Sequence, residues 1–145
     1  MTVVVAPDRN VPSGPSLFLA GGITGCPDWQ SQAVRVLDDS GLVLLNPRRE
    51  NFPMTDPMAA ETQIMWEHDM LRHADSVLFW FCAETIQPIV LYELGAWSMT
   101  DKKLYIGAHP EYPRRTDVVL QTRLVRPDVV IRHSLEALLA SVYGP

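Results

Sequence analysis

The run Asp75-Ser76-Val77-Leu78-Phe79-Trp80-Phe81 decides the fold. Its last five residues are apolar without a break. A strand with one wet face alternates polar and apolar, whereas a continuous apolar run is buried on both faces, as in a parallel sheet covered by helices. On its carboxyl side, Pro88 suits the first turn of a helix reaching about Thr100. On its amino side, a helix over 59–73 takes a partial apolar face from Ile64, Met65 and Leu71. Leu17–Ala20, which ends at Gly21-Gly22, and Leu42–Leu45, which stops at Asn46-Pro47, read as two further strands. Lys103–Gly107 and Val129–Ile131 read as the fourth and fifth. Helices are predicted from Trp29 to about Asp39, capped by Asp28, from Thr116 to Arg126, and from Ser134 to Val142. The pattern predicts an α/β fold: a flavodoxin-like, doubly wound five-stranded parallel sheet with helices on both faces. Residues 1–16 hold three prolines and read as an N-terminal arm with at most a short strand at Val3-Val4-Val5. Residues 17–145 read as the domain.

Composition narrows the function. The chain has 145 residues, 47% hydrophobic and 20% charged, with a formal net charge of -5. That is enough for one buried core. An acidic chain without a Lys/Arg cluster is poorly suited to grip a nucleic-acid backbone. No apolar run approaches the length that spans a bilayer, and Met1–Pro7 lacks the basic start of a signal peptide. Cys26 and Cys82 make neither a disulfide framework nor a CxxC motif, so reduced thiols and a cytoplasmic location are expected. The four histidines show no metal-ligand spacing, and no metal site or cofactor is expected.

In doubly wound folds, ligands sit at the carboxyl ends of the strands. That rule points to 21–25, 46–56, 81–88 and the stretch from Gly107 onward. Glu93 is the one charged residue of the segment from Pro88 to Thr100. A helix apolar on nearly every side is expected to be buried, and a carboxylate on it pays for desolvation unless paired. Two readings stand: a structural Glu bonded to neighbouring donors, or a nucleophile or base with a shifted pKa. Glu67 and Asp75 are the next acids to weigh, with a turn or cap role competing for Asp75. Gly21-Gly22-Ile23-Thr24-Gly25 is suited to let a phosphate or ribose approach the backbone, but it lacks the dinucleotide spacing, and no acid follows Leu45 where a ribose would need it. Trp66 and Trp80 are candidates to stack on a planar base, with plain packing as the competing reading. Trp97 reads as core. Arg114 and Arg115 sit in a loop that is either solvated or turned toward a phosphate or partner.

Taken in order, several segments resemble the nucleoside 2-deoxyribosyltransferase-like family. They are Leu17–Gly25, Leu45-Asn46-Pro47-Arg48-Arg49, Glu61–Glu67, Ala74-Asp75 with its strand, and Tyr92-Glu93-Leu94-Gly95-Ala96. The resemblance implies cleavage or exchange of the N-glycosidic bond of a (deoxy)nucleoside or nucleotide. It implies Glu93 as nucleophile and Glu67, eight residues before Asp75, as second acid, in place of the commoner Asp. With Asp75 these form the expected catalytic set. Gly21, Gly22, Gly25, Asn46, Trp66, Trp80 and Gln87 form the expected substrate-binding set. Phe18 stands where the family has a tyrosine that orients the nucleophile. Thr85-Ile86-Gln87-Pro88 departs from the nucleotide-hydrolysing relatives. The expected partner is a small nucleoside or nucleotide, with neither a nucleic-acid polymer nor a membrane, and the resemblance implies a homodimer or higher homo-oligomer. Two alternatives stay open: a non-catalytic nucleotide-binding or sensing module, and a hydrolase of NAD-like nucleotides.

Overall fold

The computed structural model describes residues 2–144. Six parallel strands form one sheet: β1 (Thr2–Val5), β2 (Ser16–Gly21), β3 (Val43–Asn46), β4 (Ser76–Phe81), β5 (Lys103–Ala108) and β6 (Ile131–Arg132). Their order is β1-β3-β2-β4-β5-β6. Leu17–Gly21 of β2 pairs with Ser76–Trp80 of β4, and β4 pairs in turn with β5 over Ser76–Phe81. These central strands are the nearly continuous apolar runs of the sequence, buried on both faces.

The sheet has six strands where the sequence predicts five. The extra one is β1, whose register on β3 runs from Thr2 opposite Val43 to Val5 opposite Asn46. It is an edge strand, exposed at Thr2 and Val5 and buried at Val4. Four residues followed by a proline-rich stretch give too short a period to read with certainty from sequence. Without β1, the order β3-β2-β4-β5-β6 is that of flavodoxin-like sheets, which places the topological switch point between β2 and β4.

Five helices cover the sheet: α1 (Trp29–Val36), α2 (Ala59–His73), α3 (Pro88–Ser98), α4 (Arg115–Val125) and α5 (Leu135–Tyr143). The pleat sorts neighbouring residues of one strand into two cores. Leu17, Leu19, Leu78 and Trp80 pack with α1 and α5 on one face. Phe18, Ala20, Val77, Phe79 and Phe81 pack with α2, α3 and α4 on the other. Each fully buried Leu or Phe contributes about 1.5–3 kcal/mol. Asp28 caps α1 by accepting from Ser31 N–H, and Ser134 caps α5 by accepting from Ala137 N–H.

Helix α3 corrects one expectation. Val90, Leu94 and Ser98 are its buried residues, while Ile89, Tyr92 and Met99 face outward, Tyr92 at 80% exposure. The helix is apolar because it walls a cavity and presents an open stripe, not because protein surrounds it.

Candidate functional site

The larger cavity, about 980 Å3, opens beside the carboxyl ends of β2 and β4, on the face carrying α2 and α3. Its position is that of the switch point. Gly21 to Thr24 form one wall, Thr85 to Val90 another, and Phe18 and Ala20 lie along the sheet side. Helix α2 contributes Glu67, and α3 contributes Glu93 and Trp97.

Glu67 and Glu93 meet inside this largely apolar space and are hydrogen-bonded to each other. Burial pushes the Glu93 carboxyl up, the negative charge of Glu67 pushes it further, and it reaches about 8. Burial also raises Glu67, against hydrogen bonds from Gln63 and Glu93 that favour its anion. Near neutral pH the pair therefore holds one proton, on the Glu93 side of the bridge, and titrates as a unit. Gln63, one helical turn before Glu67, steadies the second acid. Its Nε2 donates to Glu67 Oε2 at 2.9 Å and to Pro47 O at 2.8 Å.

The glycine loop is held from two sides. Arg48 lies just past β3, and its guanidinium donates to the carbonyls of Pro27 (2.7 Å), Ile23 (2.9 Å) and Cys26 (2.8 Å), and to Gln30 Oε1. From the other side, Gln87 Oε1 accepts from Gly22 N–H at 3.1 Å, and its Nε2 donates to Cys82 O at 2.9 Å and Thr85 O at 3.0 Å. Gln87 adopts φ 57, a left-handed conformation that costs a side-chain-bearing residue about 1–2 kcal/mol. The three bonds offset that cost. Gly22 has no room for a side chain, since a Cβ there would strike Cys26 Sγ and the Gln87 side chain.

The structure brings Glu93, Glu67, Gly21, Gly22 and Gln87 to one cavity and leaves other expected residues away from it. Asp75 precedes β4, at the amino end of the strand. Its Oδ2 accepts from Ser16 N–H at 2.8 Å, the bond of a residue that ties two strand starts together. Trp66 is wholly buried behind Phe18, with ring centroids 6.0 Å apart, and donates to Asp8 O. Trp80 points to the opposite face of the sheet and lines a smaller cavity of about 410 Å3. Pleat alternation explains this, because Phe79 and Phe81 take the cavity side. Asn46 is buried, and its Oδ1 accepts from Arg48 N–H. Gly25 takes φ 75 in the loop, outside the cavity lining. Gln87 lines the cavity, but its amide is spent on the protein. Arg114 pairs with Asp117, and Arg115 bonds Ala108 O and His133.

Three features escaped the sequence reading. Arg48 follows a strand end as many surface arginines do, and nothing in its neighbours signals a loop clamp. Trp97 lines the cavity as well as packing against the core. Cys26 and Cys82, 56 residues apart, lie with their Sγ atoms 2.7 Å apart.

A family model described as nucleoside 2-deoxyribosyltransferase like matches residues 14–112, more than half of the chain. The chain belongs to the nucleoside 2-deoxyribosyltransferase-like family. The matched stretch runs from β2 through β5 and includes Glu67, Glu93 and both walls of the larger cavity. No curated protein matches the chain. Phe18 lines the cavity and offers a ring without a hydroxyl.

Proposed function

We propose that the protein cleaves or exchanges the N-glycosidic bond of a (deoxy)nucleoside or nucleotide, with Glu93 attacking the sugar and Glu67 serving the departing base. One observation carries this reading: the carboxyl groups of Glu67 and Glu93 line one apolar cavity at the switch point of the sheet, where burial raises both and favours a single proton on the pair. Breaking the bond from C1′ to the base nitrogen builds positive charge on the sugar. A carboxylate beside C1′ stabilises that charge and traps the sugar covalently. The leaving nitrogen needs a proton. A pair holding one proton supplies both needs: the proton passes from Glu93 to Glu67, Glu93 becomes the anion that bonds C1′, and Glu67 protonates the base. Water or a second base then attacks C1′ and gives its proton to Glu67, the bond from C1′ to Glu93 breaks, and the Glu93 carboxylate and the single proton of the pair are restored. These steps balance without a metal or redox cofactor. Gly21 and Gly22 line the cavity, where their backbone can meet the sugar or its 5′ substituent. Two free thiols fit a reducing, cytoplasmic setting.

Chromatographic detection of free base from nucleosides, 5′-monophosphates and NAD tests this. Wild type releases base, and Glu93→Gln releases it about a thousandfold more slowly or not at all. Glu67→Gln lowers the rate by about a hundredfold or more where the base is a poor leaving group. Equal release by Glu93→Gln and wild type would refute the assignment.

Phe18 favours a second reading, a nucleotide-binding or sensing module without turnover. The missing hydroxyl removes a group suited to orienting Glu93. Tight nucleotide binding with no base released from any substrate, NAD included, would select it. Release from NAD alone would select the NAD-type hydrolase.

A further inference from the structure

Cys26 and Cys82 occupy the space between the two cavities. Cys82 follows β4 and lines the smaller cavity. Cys26 closes the loop whose residues Gly22, Ile23 and Thr24 line the larger one. Both thiols are free and buried, and their Sγ atoms are 2.7 Å apart. Cys26 Sγ also meets Thr85 Oγ1 at 3.2 Å, and Cys82 Sγ accepts from Gln87 Nε2 at 3.4 Å.

We propose that Cys26 and Cys82 are a site of reversible oxidation, forming a disulfide that ties the glycine loop to the end of β4 when a peroxide reaches the smaller cavity. The inference goes beyond the glycosidic chemistry and does not depend on it. The sulfurs need only close from 2.7 Å to the about 2.0 Å of a disulfide bond. The first step falls to Cys82, the sulfur that borders the smaller cavity. Its sulfur attacks one peroxide oxygen, the O–O bond breaks, and water leaves, giving a sulfenic acid. Cys26 sulfur then attacks Cys82 sulfur, the S–O bond breaks, and a second water leaves. Two thiols lose two hydrogens and two electrons, and one peroxide becomes two waters. A dithiol reductant reverses the bond by exchange. Burial holds the Cys26 thiol up at about 11, which disfavours a first attack on peroxide by Cys26, and its contact with the Cys82 sulfur is what lets it take the second step.

The bond would be felt in the larger cavity. Gly22 has no spare volume against Cys26 Sγ or the Gln87 side chain, and Gln87 holds Gly22 N–H. A shift of the Cys26 sulfur therefore acts on the loop and on the first residue before α3.

The test is hydrogen peroxide treatment of the full chain, read by intact mass, by alkylation with iodoacetamide and by digestion without reduction. The expected result is a monomer lighter by two hydrogens, no alkylatable thiol, and a peptide joining Cys26 to Cys82, all reversed by dithiothreitol. Cys82→Ser should keep its remaining thiol alkylatable under the same exposure. Amide exchange of residues 22–26 should slow in the oxidised form. Oxygen addition without loss of hydrogens, or two thiols that still alkylate, overturns the site. A disulfide that leaves exchange over 22–26 unchanged overturns the tether.

Discussion

At Glu93 the ionised carboxyl is opposed first by burial and then by the charge on Glu67. Its ordinary value of 4.5 rises to about 8. Between those values the folded chain keeps a proton that the unfolded chain has released, so stability falls as pH rises through that window. Glu93→Gln removes the penalty. It should stabilise the protein by on the order of a few kcal/mol above about pH 8, with little difference below about pH 4.5. Urea unfolding of both proteins across pH measures this, and a gain that is constant with pH would show that Glu93 is not protonated in the fold. Glu67→Gln removes both the like charge and the acid that serves the base, so Glu93 should ionise at lower pH and the alkaline limb of the wild-type pH–rate profile should be lost in the variant. The same scale shows why Asp75 misled the sequence reading. It directly precedes an apolar strand, whereas Glu67 and Glu93 lie on the helices before and after that strand, and it sits at the strand's amino end, away from the cavity. Residue type is visible in a sequence, whereas the end of the sheet a side chain reaches depends on chain direction.

The elements that matter most are two loops, each ending in a residue with no room to change. Gln87 joins them through one amide that serves three backbone groups. Gln87→Ala keeps the left-handed backbone and loses those bonds, which should cost about 1–3 kcal/mol for each group left dry. Gln87→Gly loses the same bonds but relieves the backbone, so it should be more stable than the alanine variant by about 1 kcal/mol. Denaturant midpoints of the two variants decide it, and equal midpoints would mean that the backbone at 87 relaxes freely. Strands and helices were largely legible. Helix α2 spans Ala59–His73 as its pattern predicts, and Ser134 caps the last helix as its sequence suggests. The clamps by Arg48 and Gln87 were not legible, because their partners are carbonyls and amides that every residue carries.

On the scale of the whole molecule, the order of the sheet explains the site. One reversal of winding between β2 and β4 leaves a crevice, and the family match covers the elements around it. The α/β class and the parallel sheet were legible from apolar runs alone. The edge strand β1 was legible only as a short run at Val3-Val4-Val5 in an arm, not as a sixth strand of the sheet, since half of its residues face water. Of the exposed apolar residues Ile89, Tyr92 and Met99, the first two line the cavity, and the homo-oligomer that the resemblance implies is expected to cover them. Light scattering should give at least a dimer for wild type and a monomer for Tyr92→Glu. A wild-type monomer at micromolar concentration would overturn that expectation. The four tryptophans are also unequally placed. Trp29, Trp66 and Trp80 are sealed at 3%, 0% and 5% exposure, while Trp97 borders the larger cavity under the Lys102 ammonium. A purine or pyrimidine entering that cavity should quench one indole and leave three glowing. The molecule thus carries its own optical titration, and Trp97→Phe should silence it while the other emission persists.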